Sequence, residues 1–168
     1  MKRRSVMRWS SALLLAATVL IAGCAHKTGA NALFPAEAQW SGRLALKVQG
    51  TPPQAFSADF ELGGESQRGV LVFFTPLGTT AARLEWSPGL ATLVADGETR
   101  QFPSLNALAF HATGAELPIE ALFDWLQGRS TDAPGWVADL SALDQGRLQA
   151  VRAATSLPRV ELRIVLQR

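Results

Sequence analysis

From Trp40 onward the chain alternates apolar and polar residues with a period of two. Leu44, Leu46 and Val48 interleave with Arg43, Ala45 and Lys47, the signature of a strand with one buried face. Phe56, Ala58, Phe60 and Leu62 alternate with Ser57, Asp59 and Glu61, and Gly63-Gly64 then offers turn chemistry. Val70 to Phe74 is apolar on both faces, which predicts a central strand. Ala82, Leu84 and Trp86 alternate with Arg83 and Glu85 before a Ser87-Pro88-Gly89 turn. Leu90 to Ala95 runs into Asp96-Gly97, a strong two-residue hairpin signal. Near the C-terminus Val160, Leu162, Ile164 and Leu166 alternate with Arg159, Glu161 and Arg163. Hairpins in series, each with one apolar face, predict an antiparallel meander curling into a barrel or open half-barrel.

Two segments switch to helical spacing. Ser104 suits an N-cap for a short helix carrying Leu105, Leu108 and Ala109 on one side. A second helix opens with Pro118 at its first position, carries Glu120 at its positive end and stops at Gly128. Its apolar stripe is Ile119, Leu122, Phe123 and Leu126. Two short amphipathic helices against a concave sheet plug one mouth of the barrel. They either complete an ordinary core or form a lid over an apolar cavity, and the pattern alone leans towards the core. The aromatics Phe56, Phe60, Phe73, Phe74, Phe110, Phe123, Trp86 and Trp125 serve either arrangement.

The first 38 residues follow a different logic. Met1 to Arg8 is basic, and Ser11 to Gly23 is an apolar run shorter than the ~20 residues of a membrane-spanning helix. This is the layout of a signal peptide over residues 1–23. It ends in Leu20-Ile21-Ala22-Gly23-Cys24, which resembles the lipobox of bacterial lipoproteins: an aliphatic residue, small residues, then the cysteine that is acylated. Cys24 is the only cysteine of the 168 residues, so no internal disulfide and no multi-cysteine zinc site can form. The resemblance implies a diacylglyceryl group on its sulfur and a third acyl chain, such as palmitate, on the new amino terminus. Several chains make a stable anchor where one does not. Ala25 stands where such lipoproteins carry Asp for inner-membrane retention, which implies the outer membrane. Residues 24–38 read as a lipidated, flexible tether, and 39–168 as the β-barrel domain.

Charge and chemistry narrow the function. The net charge of +2 averages two unlike parts, because Lys2, Arg3, Arg4 and Arg8 precede Cys24 with no acid beside them. Without those four, twelve basic residues face fourteen acids, a net of −2. Nucleic-acid binding needs a clustered basic surface and loses its support. His111 is the single histidine of the folded part, which argues against a histidine metal site and against a serine triad. No phosphate-binding glycine loop and no isolated carboxylate pair occurs, and tyrosine is absent. The expectation is a non-enzyme without metal or cofactor.

Further motifs join the lipobox in a fixed order: Trp40-Ser41-Gly42-Arg43-Leu44-Ala45-Leu46, Thr75-Pro76-Leu77-Gly78-Thr79-Thr80, Trp86-Ser87-Pro88-Gly89, and the stretch from Leu117-Pro118 to Trp125-Leu126-Gln127-Gly128. Together they resemble the LolB family, the outer-membrane lipoprotein receptors of Gram-negative bacteria. The resemblance implies an open, incomplete antiparallel β-barrel closed by a helical lid around an apolar cavity. It implies a monomer, facing the periplasm, that takes acylated lipoprotein cargo from the carrier LolA and places it in the inner leaflet of the outer membrane. The family's exposed loop leucine maps onto Leu77, flanked by Pro76 and Gly78; the alternative, a turn leucine folded back onto the core, is disfavoured because a tight Pro-Leu-Gly turn projects its side chain outward. The lid residues over the acyl cavity are then Ile119, Leu122, Phe123 and Leu126. The alternative is a structural or general hydrophobic-ligand-binding lipoprotein that transfers no cargo. The chain departs from the family in a shorter segment before the first strand and a shorter part from Gly135 to Arg168.

Overall fold

The computed structural model describes residues 34–152 and 158–167. A 3-10 turn over Ala36–Ala38 leads into β1 (Gln39–Gln49), followed by β2 (Gln54–Gly64), β3 (Gly69–Phe74), β4 (Thr80–Ser87), β5 (Leu90–Ala95) and β6 (Glu98–Phe102). Two helices come next, α1 (Leu105–Thr113) and α2 (Ile119–Leu126). The chain closes with β7 (Trp136–Asp139), a 3-10 turn at Leu143–Gln145, β8 (Arg147–Arg152) and β9 (Arg159–Leu166). The residues expected to form the signal peptide, and Cys24, lie outside the described residues.

The described strands form one antiparallel sheet in the order β6-β5-β4-β3-β2-β1-β9-β8-β7. The first strand pairs with the last, Leu46 opposite Leu162 and Val48 opposite Val160, so the meander is stitched through its middle. β6 and β7 are the two edges, and the 33 residues between them in sequence carry both helices. That connection has to travel from one edge of the sheet to the other. Crossing one face is the short route, and α1 and α2 accordingly pack there, with Leu108, Ala121, Phe123, Trp125 and Leu126 in the main core.

Period-two alternation places Leu46, Val48, Phe60, Leu62, Leu84, Trp86, Leu148, Leu162 and Ile164 on the helix-covered face, all buried. The opposite face carries exposed ion pairs, Arg43–Asp59 at 3.2 Å, Arg83–Glu85 at 2.7 Å and Arg159–Glu161 at 3.1 Å. Exposed pairs of this kind contribute little to stability, and they keep that face wetted. Asp96 (φ 53°) and Gly97 (φ 78°) form the tight turn between β5 and β6, both in the left-handed region such a hairpin requires.

Several local expectations shift. Gly63 and Gly64 end β2, paired with Val70 and Gly69, and the turn itself lies beyond them, closed by the Glu65 amide donating to the Arg68 carbonyl at 2.8 Å. Pro118 is the cap rather than the first helical residue of α2, its carbonyl accepting from Leu122 at 2.8 Å. β3 does have strands on both sides, and its second apolar face is accounted for: Val70 and Val72 are buried beneath Phe34 and Phe74. Phe34 to Ala38, which composition reads as the end of the tether, thus include a packed aromatic and a short 3-10 turn.

Candidate functional site

Two features stand apart from an ordinary sheet: the hairpin loop between β3 and β4, and the helices over the apolar face. The loop is built by Thr75-Pro76-Leu77-Gly78-Thr79. Proline at the second turn position presets φ, and the Gly78 amide donates back to the Thr75 carbonyl at 2.9 Å. Gly78 has φ 79°, a conformation that suits glycine, and a Cβ there would touch nothing. The Thr75 amide donates to the Thr79 carbonyl, and their two hydroxyls lie 2.8 Å apart. This double lacing fixes the base of the loop, while Pro76, Leu77 and Gly78 are all exposed. Leu77 is 92 % exposed, the most exposed of the large apolar side chains among the described residues. Beside the loop a groove of about 430 Å³ opens on the polar face, lined by Ser41, Asp59, Glu61, Phe74 and Pro76 among others.

The two helices are held by different contacts. Ser104 caps α1, its hydroxyl accepting from the Ala107 amide at 3.1 Å, and Gly114 ends the helix at φ 67°. α1 buries only Leu108 and Ala109 and leaves Phe110 about half exposed. α2 is held from two sides. Phe123 meets Trp40 edge-on (5.9 Å between ring centroids) and Trp86 at a tilt (6.2 Å) on the sheet side. Trp86 has room for its indole because Gly69 lies opposite, where a Cβ would come within 2.3 Å of the ring. On the other side Trp125, almost wholly buried, donates its indole N–H to the Thr131 carbonyl at 2.8 Å. Asp124 accepts from the Thr131 hydroxyl at 2.6 Å and pairs with Arg129. The Thr131 hydroxyl first, then the Arg129 guanidinium, hold the Asp124 carboxyl below the ordinary carboxylate range. The segment after α2 therefore clamps it, while α1 is held on the sheet by the fully buried Leu108 and by His111 against Phe102, 5.0 Å between ring centroids.

Of the four residues expected to form the α2 stripe, Phe123 and Leu126 are buried, whereas Ile119 and Leu122 are half-buried at its margin. Sequence reasoning left Ala121 and Trp125 out of the stripe. Both are buried, one helical turn apart, and Trp125 reaches the Thr131 carbonyl of the segment that follows. It also passed over Arg152, the one charged side chain buried among the described residues. Arg152 ends β8 in phase with buried Leu148 and Ala150, so it points to the helix-covered face. The signal was available: an arginine on the apolar phase of a strand. Among the described residues no group of three or more His, Cys, Asp or Glu side chains gathers to hold a metal ion.

Among the described residues these two features are built from apolar side chains rather than from groups that make and break bonds. They comprise an apolar sheet face under two short helices and a laced loop presenting a leucine to solvent. Comparison with known proteins bears on this directly. A family model described as outer membrane lipoprotein LolB matches residues 37–160. The outer-membrane lipoprotein LolB of Bordetella petrii is 34 % identical, the alignment covering 91 % of this chain and 94 % of that protein. That of Halorhodospira halophila is 33 % identical over 82 % of this chain and 73 % of its own length. That of Chromobacterium violaceum is 32 % identical over 73 % and 69 %.

Proposed function

Because the chain belongs to the LolB family of outer-membrane lipoproteins, we propose that it is the receptor for acylated lipoproteins arriving from the periplasmic carrier LolA. It delivers them to the inner leaflet of the outer membrane. The observation that carries this reading is the covered apolar face: the connection between the two sheet edges lays two short helices across it. In this reading α1, with Leu108 and Ala109 as its only buried residues, swings away first. An acyl chain then takes its place against Ile119, Leu122, Phe123 and Leu126, and the helices act as a lid over a cavity that opens with the cargo.

Energetics favour contact transfer. Each methylene kept from water is worth ~0.8 kcal/mol, so one chain of roughly fifteen methylenes involves about 12 kcal/mol. Cargo exposed to water at that cost does not escape at a useful rate, and it must pass between touching apolar surfaces. Direction then requires only that the receptor bind better than the carrier and the membrane better than both. No catalytic step, metal or nucleotide enters. Cys24 carries the acyl anchor, and Leu77 dips into the bilayer edge during delivery.

The test is site-specific photo-cross-linking of the full chain to the carrier and to radiolabelled cargo during transfer. Cargo adducts are expected from position 122, and a carrier adduct must accompany them in time. A chain that never forms a cargo adduct overturns the proposal. The second reading, a lipoprotein with a permanently solid core, draws on the near-complete burial of Leu108, Trp125, Leu148 and Val160. Saturable binding of bis-ANS that acylated cargo displaces separates the two, because a permanently filled core takes up neither.

A further inference from the structure

Arg152 is a buried charge without a buried counter-charge. Its guanidinium donates from Nη1 to the Glu116 carbonyl at 3.1 Å and from Nη2 to the Pro158 carbonyl at 3.3 Å. The Nε–H is buried and has no hydrogen-bond partner among the described residues. Trp136 lies with its ring centroid 5.8 Å from Cζ, and no carboxylate is in ion-pair range among the described residues. Burying an ion in this manner is costly, and breaking or leaving it incompletely paired costs more. A core that needed only volume here would be better served by an apolar residue.

The position narrows the use. Arg152 is the last residue of β8, on the side of the sheet that carries the helices, and one of its two partners belongs to the short linker between α1 and α2. Both partners are backbone carbonyls. Arginine has five N–H donors, accepts nothing, and keeps its charge across the working pH range. Such a group cannot hold a hydrocarbon tail. It fits the oxygen-rich junction where acyl chains join a head, whose ester carbonyls are acceptors of the same kind it now holds.

We propose that Arg152 is the polar subsite for acyl cargo, its guanidinium exchanging the Glu116 carbonyl for an ester carbonyl oxygen of the lipid and using the unpaired Nε–H for a second acceptor. This rests on the receptor reading above and adds the group that recognises the lipid's head. The exchange of one carbonyl for another is close to neutral in hydrogen bonding. It also releases the α1–α2 linker, so recognition of the head and loosening of the lid are one event.

The test uses the full chain held in nanodiscs, with empty nanodiscs subtracted, and reads displacement of bis-ANS. One probe is a peptide bearing S-(dioctanoylglyceryl)cysteine; the other is its dioctyl ether analogue, equal in chain length but lacking the ester carbonyls. The wild-type chain is expected to bind the ester probe about tenfold or more tightly than the ether, the scale of the one added hydrogen bond at the charged Nε–H, since the Glu116 exchange itself is near neutral. Arg152→Met should bind both probes alike, near the wild-type affinity for the ether, and Arg152→Lys should recover part of the preference. Equal binding of the two probes by the wild-type chain overturns the assignment of Arg152 and leaves the receptor reading standing. Displacement by neither probe overturns both. Where Arg152→Met fails to fold, the wild-type comparison can still overturn the assignment, and a reduced ester preference in Arg152→Lys attributes it to the guanidinium.

Discussion

Leu77→Glu should separate receiving cargo from delivering it. With 92 % of the leucine exposed on a loop laced by Thr75 and Thr79, the side chain contributes almost nothing to the fold. The substitution should therefore change stability by no more than ~0.5 kcal/mol. Entry of a leucine into an apolar phase gains ~1.5–3 kcal/mol, whereas a carboxylate resists that entry. Losing the gain alone slows delivery by about ten- to a hundredfold, since every 1.4 kcal/mol is a factor of ten. A two-step assay resolves the effect: transfer of labelled cargo from carrier to the chain, then from the chain to liposomes. The first step should stay near wild type and the second should slow by the stated factor, with the melting temperature unchanged. Normal rates in both steps, or an unfolded variant, would refute the role given to Leu77.

Other perturbations address the remaining parts. Cys24→Ser should abolish palmitate labelling and leave an unprocessed precursor, and mass spectrometry of the mature amino terminus checks it. Leu122→Asp, at the half-buried margin of α2, should weaken acyl-probe binding by at least tenfold while circular dichroism stays native; unchanged binding sinks the lid assignment. Asp124 has its folded pKa depressed by Thr131 and Arg129, so its contribution is present above the ordinary carboxylate pKa and disappears as pH falls through the lower folded value. Thermal stability should therefore drop on acidification below about pH 4, and Asp124→Asn should be less stable at pH 7 with a flatter acid limb.

The strands that alternate large apolar with charged residues could be read directly from the chain, because one buried face demands that pattern. β8 escaped since its apolar phase holds a small Ala150 and the charged Arg152 beside a single leucine, and β7 is only four residues long. The outward leucine at the β3–β4 turn was legible from Pro76 and Gly78, which fix the backbone locally. Whether the helices seal a core or open over a ligand was not, because side chains that line a cavity and those that fill one have the same chemistry. Trp125 illustrates the limit. Its burial depends on Thr131 and the chain that wraps back over α2, a tertiary event with no period in the sequence. Arg152 is the reverse case, a local breach of the apolar pattern that marks the place where a polar group is needed.

Phe34, seated over Val70 and Val72 on the outer side of β3, also sets the length of the leash. With the lipid on Cys24, as proposed, only ten residue steps separate the bilayer from the first packed side chain, a reach of at most ~35 Å. That is about the width of a compact domain of this size. The body can roll on the membrane but cannot stray farther from it than its own diameter. A carrier must come to the membrane surface to meet it, and unloading takes place where the lipid already is.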